Sequence, residues 1–391
     1  MRRLFALLPV LSCQVAEAPR SPDAGEPAPR PVLSGVAPSA TPSTFPTTTP
    51  SAAPEVPAPA ACQAPSLTAT DPRAGRDEEA LAHCAFDRSD VPTLADRCGQ
   101  PGADRPVALA RLDEAVPPLD EATTARVRSL LAEGKRQGRS TNGFGLVGDS
   151  ITASPKFLRP FTDPRLVQLS DEVRAALALP DGTTVIERFR RPLYGVLDAY
   201  VAPRAAKVGA PSFWALRPTP SRSPVGTLVR QLSPAVAIVM YGSNDATTNQ
   251  PGLAELVTGF REHMTAIVDQ LEAAGIVPVL STIPPHTGDP ARPLCDRFPG
   301  DLSNWRIAVQ TNALSAAVAE LACARALPLV DLRHGLDALS DAGIGPDGVH
   351  PNAHRGGAGK LDAQGLQCGY NLRNYLTLRM LRQLAPLLDA P

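Results

Sequence analysis

From about Val107 onward this 391-residue sequence predicts an α/β domain built on a parallel sheet with helices on both sides. Two observations predict it. The run Ala235-Val-Ala-Ile-Val-Met240 shows no polar alternation, as expected of a strand covered on both faces. The apolar runs are also separated by segments of helical length, which gives each strand room to cross over and pair in parallel with the next. No internal repeat is evident.

Taken in order, Asp120-Glu121 opens a helix to about Gln137, acidic at its start and basic at its end, as the helix dipole favours. Gly143 to Val147 reads as a short buried strand, and Ala235 to Met240 as a longer one. Leu253 to Ala274 is amphipathic with helical period, followed by a strand at Ile276 to Leu280. Asn304 to Ala326 is helical, Leu327 to Asp331 is a strand, and Asn371 to Leu388 forms a terminal helix. In such a sheet, ligands bind beyond the carboxyl ends of the strands. Those ends are where chemistry is sought.

The residues ahead of this domain divide into three. Arg2 and Arg3 precede apolar Leu4 to Leu11, and Ser12-Cys13 follows, which is the order of a secretory signal over residues 1–13. Cys13 resembles the lipidated cysteine of a lipobox, although Leu11 stands where a small residue is usual. Residues 14–61 form a Pro/Ala/Ser/Thr-rich linker. From Pro19 to Pro65 there are thirteen prolines and one aromatic, Phe45, too little apolar surface to offset the entropy of ordering. Residues 62–106 are a cysteine-containing extension, and residues 107–391 are the folded domain. The expected destination is outside the cytoplasm: the periplasm, the outer membrane through a lipid on Cys13, or the cell surface.

Beyond Cys13 there are six cysteines, enough for three disulfides in an exported chain. The expected pairing is local among Cys62, Cys84 and Cys98, with Cys295 joined to Cys368. Cys323 is left either paired or as a buried thiol. A formal net charge of −1 argues against nucleic acid as a partner, because neutralising phosphates needs a concentrated basic face. No apolar run approaches the ~20 residues that span a bilayer, which argues against a transmembrane enzyme or channel. Oligomeric state is not legible.

Three segments carry candidate chemistry. In Val147-Gly148-Asp149-Ser150-Ile151-Thr152, a serine follows a strand at the start of a helix, where its hydroxyl is exposed and its N–H points toward an attacked carbonyl. The plainer alternative is a turn capped by Asp149 or Ser150. In Tyr241-Gly242-Ser243-Asn244-Asp245, directly after a strand, Asn244 can donate its side-chain N–H to an oxyanion, or simply make an Asx turn. In Asp347-Gly348-Val349-His350, an aspartate three residues before a histidine can fix its tautomer. The ring is then free to take a proton from a serine.

With these residues in hand, the chain resembles the SGNH/GDSL hydrolase superfamily, whose blocks read Gly-Asp-Ser, Gly-x-Asn-Asp and Asp-x-x-His in this order. The resemblance runs from roughly Arg126 to the C-terminus. It implies a three-layer α/β/α flavodoxin-like fold with strand order 2-1-3-4-5, and ester hydrolysis through an acyl-enzyme. It further implies Ser150, His350 and Asp347 as catalytic residues, with Ser150 and Asn244 in the oxyanion hole. The family adds a glycine N–H to that hole. Gly209, in Val208-Gly-Ala-Pro-Ser212, matches best although Pro211 departs from the pattern; Gly195 is the rival. Neither a cofactor nor a metal is implied. His354 and Asp347 make a weak metal pair, because other ligand-type residues are scattered. His286 follows a strand and reads as a loop histidine near the pocket. His83, His263 and His334 have no evident partners. Asp245 reads as a loop-satisfying carboxylate, Tyr370 to Asn374 as a brace for the histidine loop, and Trp214 and Trp305 as packing. The expected substrate is a carboxylic ester, such as an acyl group on carbohydrate. Acyl transfer by the same residues, or a surface module that only binds, are the alternatives.

Overall fold

The structure, a computed structural model, describes residues 112–190, 199–200, 205–247, 252–286 and 302–390. The signal, linker and cysteine-containing extension therefore lie outside the described residues. So do Cys13, Cys62, Cys84, Cys98, Cys295, His83 and Gly195.

Among the described residues, seven strands run Ser140–Gly148 (β1), Gln168–Leu169 (β2), Ala205–Ala206 (β3), Pro234–Met240 (β4), Val277–Ser281 (β5), Leu329–Val330 (β6) and Lys360–Leu361 (β7). Five of them make one parallel sheet in the order β3-β1-β4-β5-β6, which in chain order is the expected 2-1-3-4-5. β2 and β7 pair in parallel as a separate two-stranded sheet. The helices are Glu121–Arg136 (α1), Ser150–Ala153 (α2), Asp171–Ala176 (α3), Val185–Phe189 (α4), Pro224–Gln231 (α5), Leu253–Ala273 (α6), Leu302–Ala324 (α7), Leu332–Asp337 (α8) and Gly369–Leu388 (α9).

Chain direction decides which helices share a layer. From β1 the chain moves to the edge strand β3, then returns past β1 to β4, β5 and β6. With right-handed crossovers this reversal puts α5, α6 and α7 on one face. The contacts agree: α6 packs on α5 and α7, while α9 packs on α1, α4 and α8. Every residue of β4 is buried, as its unbroken apolar run requires. Under β1, Phe144 meets the edges of Phe189 and Tyr200 at ring separations of 5.2 and 5.5 Å.

The structure departs from expectation at several points. β6 is only Leu329–Val330, because Leu327 and Asp331 have left the ladder: Leu327 N bonds Ala322 O at the end of α7, and Asp331 caps α8. β3, at two residues, carries too little sequence to show a period. Within α7, Ile307–Ala324 is apolar enough by composition alone to span a bilayer, contrary to the reading that no run comes near. More than half of that stretch is buried in the fold, where α7 packs on α6 and β5. Cys323, for which both alternatives stood open, is disulfide-bonded, and Cys368 is paired as expected, although its partner is not among the described contacts.

Candidate active site

The reversal of chain direction between β1 and β4 opens the carboxyl edge of the sheet, and the candidate residues gather there. β1 ends at Gly148, where a Cβ would stand 2.4 Å from Thr152 Oγ1 and 2.5 Å from Met240 O. Only glycine lets the chain turn that close to β4. Asp149 then caps α2, its Oδ1 accepting from Ile151 N at 3.0 Å. Burial pushes the Asp149 carboxyl up to about 6, against the lowering pull of the Ile151 N–H and the Arg373 guanidinium. The capping alternative and the exposed-serine reading thus describe one turn: Asp149 is the cap, and Ser150 is the half-buried first residue of the helix. In that first turn the amides have no intrahelical acceptor, so the Ser150 N–H faces outward.

His350 reaches Ser150 from 200 residues away. Its Nε2 lies 2.8 Å from Ser150 Oγ, and its Nδ1 lies 2.7 Å from Asp347 Oδ2. The other carboxylate oxygen of Asp347 accepts from Val349 N at 3.0 Å and His350 N at 2.9 Å. Partial burial works to raise the Asp347 pKa. The two backbone N–H groups and the imidazole outweigh it, so the carboxyl titrates below its ordinary value. An ionised carboxylate only accepts, which puts the proton on Nδ1 and leaves Nε2 to accept from the serine. About half of each of the two side chains remains open to solvent, at 41% for His350 and 53% for Asp347.

Asn244 follows β4 by four residues. Its Nδ2 is buried and has no hydrogen-bond partner among the described residues. A buried amide donor left empty carries a cost, which a ligand oxygen would relieve. Gly209 stands in the turn after β3, tied to the end of β1 by Lys207 N donating to Gly148 O at 3.1 Å. A Cβ at Gly209 would meet nothing within 4 Å, so close approach is not what demands glycine there. Its φ of +74° is the reason.

The family model of the GDSL-like lipase/acylhydrolases matches residues 146–354, more than half of the chain. The chain belongs to the GDSL-like lipase/acylhydrolase family. The match is shorter at both ends than the resemblance read from the sequence, yet it includes Ser150, Gly209, Asn244, Asp347 and His350. Among solved structures, the chain is similar to a GDSL-like lipase from Bacteroides thetaiotaomicron VPI-5482, with 15% identity and a TM-score of 0.34. That similarity covers 66% of this chain and 98% of the other. No curated protein matches. Membership in this family implies hydrolase activity.

Around the GDSL-family residues lie supports that sequence reasoning passed over. Asp245 accepts from Ser212 N at 3.0 Å and from Ser212 Oγ at 2.5 Å, and Ser212 Oγ lies 3.2 Å from His263 Nδ1. The loop after β4 is thereby joined to the loop carrying Gly209. Asp245 does satisfy loop donors, as expected; His263, read as partnerless, has Ser212. His334 likewise has Glu114, at 3.0 Å. His286 is half-buried and bonds Gly348 O through Nδ1 at 2.7 Å, so it braces the histidine loop.

The start of α9 braces that loop too. Asn352 takes Gly369 N on its side chain at 2.8 Å, and Asn371 Nδ2 donates to Gly357 O and Lys360 O at 2.9 and 2.8 Å. His354 is engaged locally: its N donates to Asn371 Oδ1, and its Nδ1 accepts from Gly356 N. Trp214 packs against the core, with Lys207 Nζ 5.9 Å from its ring centroid. The brace at the start of α9 is the one read from Tyr370 to Asn374; the ties through Ser212, His263 and His286 join residues far apart and leave no local pattern in the sequence.

Proposed function

We propose that this protein is an exported serine esterase that cleaves carboxylic esters through an acyl-enzyme on Ser150. The observation that carries the proposal is the unbroken chain Ser150 Oγ, His350 Nε2, His350 Nδ1, Asp347 Oδ2, with links of 2.8 and 2.7 Å. A serine, a neutral imidazole with its accepting nitrogen turned to the serine, and an ionised carboxylate behind it can move one proton each way.

In the first half-reaction His350 Nε2 takes the Ser150 proton as Oγ attacks the ester carbonyl. The tetrahedral oxyanion is received by the N–H groups of Ser150 and Gly209 and by Asn244 Nδ2. Asp347 stabilises the imidazolium, which returns its proton to the leaving alcohol. In the second half-reaction water, deprotonated by His350, attacks the acyl-enzyme, and the acid departs as the proton returns to Ser150 Oγ. The empty amide donor of Asn244 supports its part in this scheme, since the oxyanion would supply the acceptor it lacks.

The N-terminal residues support export: a basic and apolar leader, Cys13 as the lipidated residue, and a Pro-rich linker. Acyl groups on an extracellular carbohydrate are the substrate class we assign from that location. The test compares the purified protein with Ser150→Ala on p-nitrophenyl acetate and longer-chain esters, with folding checked by circular dichroism. Serine-dependent turnover is expected, and equal rates in two folded proteins would end the proposal. Mass spectrometry of the mature N-terminus tests export and lipidation separately.

A further inference from the structure

The residue after the nucleophile is held at both ends of its own backbone. Ile151 N donates to Asp149 Oδ1 at 3.0 Å, and Ile151 O accepts from Arg373 Nη1 at 2.7 Å and from the Tyr370 hydroxyl at 3.4 Å. The second guanidinium arm of Arg373 donates to Thr152 Oγ1 at 2.9 Å, and the plane lies 3.6 Å from the centroid of Phe157. Arg373 is 1% exposed and Asp149 is fully buried. Two opposite charges therefore grip one residue from elements more than 200 positions apart in the chain.

Neutral donors would satisfy a carbonyl at far lower cost, because removing a guanidinium from water is expensive unless it is well paired. What the cation gives in return is rigidity where the chain has little of its own. α2 has four residues, well short of the length at which a helix holds itself together in water. Ser150 is its first residue, so the direction of Oγ toward His350 depends on something outside the helix. Charge-assisted bonds to the next two residues supply it.

We infer that Arg373 is a positioning residue for the nucleophile, acting through Ile151 and Thr152 to hold Ser150 Oγ in line with His350 Nε2. The inference rests on the proposed serine chemistry. Arg373 lies outside the family-matched residues 146–354, on the terminal helix.

The experiment measures steady-state hydrolysis of p-nitrophenyl acetate, and labelling by a fluorophosphonate, in the full chain and its Arg373→Lys and Arg373→Met variants. Rates are normalised to the fraction of protein whose Ser150 can be labelled, and thermal unfolding is followed alongside. A misplacement of about 1 Å at a reacting group can cost on the order of 10²-fold. Arg373→Met should therefore lose roughly that in kcat, with KM changed less than about twofold, and labelling should slow in parallel. Arg373→Lys keeps the charge and one donor, so its loss should be smaller, about tenfold. A stabilising role alone would lower the unfolding temperature and the labelled fraction while leaving kcat per labelled site intact. Normalised kcat within about threefold of the parent in both variants would overturn the inference. If Arg373→Met does not fold, the same criterion applied to Arg373→Lys decides. Ser150→Ala separates the two ideas. A parent without serine-dependent turnover or labelling overturns both readings, whereas a serine-dependent parent with unimpaired Arg373 variants overturns only this one.

Discussion

Among the described residues, two linked sets of one aspartate, one serine and one histidine differ in order and in exposure. In the first, His350 stands between Asp347 and Ser150, and both of its ring nitrogens are used. In the second, Ser212 stands between Asp245 and His263. Ser212 gives its own proton to the carboxylate at 2.5 Å, so its oxygen can only accept from the His263 N–H. No imidazole nitrogen is left to take its proton. Ser212 is also fully buried and Asp245 nearly so, and burial pushes the Asp245 pKa up against its bonds to Ser212. The same three residue types thus make the array of the proposed chemistry where the imidazole is central and solvent-accessible, and a structural tie where the hydroxyl is central and closed in.

The comparison can be broken most directly by deleting each serine. Ser150→Ala should lower kcat by roughly 10⁴-fold or more. Ser212→Ala should keep kcat within about tenfold while destabilising the fold by about 1–3 kcal/mol, since it strips a buried carboxylate of a partner. Ester assays and urea unfolding on both variants read this out, and a reversed pattern would refute the assignment of roles. Asn244→Ala comes next. Loss of one oxyanion donor should reduce kcat by ~10²–10³ with little change in KM, in steady-state kinetics.

A smaller effect is expected at His286, which bonds Gly348 O beside the first array. His286→Ala should slow kcat roughly tenfold by loosening the loop, and His286→Asn, which restores a donor at similar reach, should recover most of it. The smallest effect concerns pH. Asp149 is displaced from 3.8 to about 6 by burial, so between those values the native state holds the extra proton. Its contribution to stability is full below about 3.8 and is lost as pH rises through about 6. Asp149→Asn should remove that component of slope from unfolding free energies measured across the range.

The central sheet was legible because its strands are buried on both faces and so read as unbroken apolar runs. β4 came out within a residue, α1 and α6 followed from charge and period, and β1, read from its apolar run as Gly143 to Val147, extends over Ser140–Gly148. β3, β2 and β7 are two residues each and carry no period at all, so only the tertiary hydrogen bonds define them. The candidate site was legible to the extent that its chemistry is local: Asp347 and His350 are three apart, and Asn244 follows its strand directly. Gly209 matched by pattern; a left-handed backbone, with open space around it, is the physical reason the structure adds. Ser212, His263, His286 and Arg373 act through bonds to residues distant in sequence. Of these only Arg373 fell in a segment read as a brace, Tyr370 to Asn374, and there for the histidine loop rather than for the turn at Ser150.

The dependence of α2 on α9 has a consequence for the order of events during synthesis. Ser150 leaves the ribosome more than two hundred residues ahead of Arg373, and His350 ahead of Asn371. Until the terminal helix docks, the serine lies on an unclamped turn and the histidine loop lacks its ties to Asn371 and Gly369. On the proposed reading, the serine of a nascent chain therefore precedes its support by more than two hundred residues.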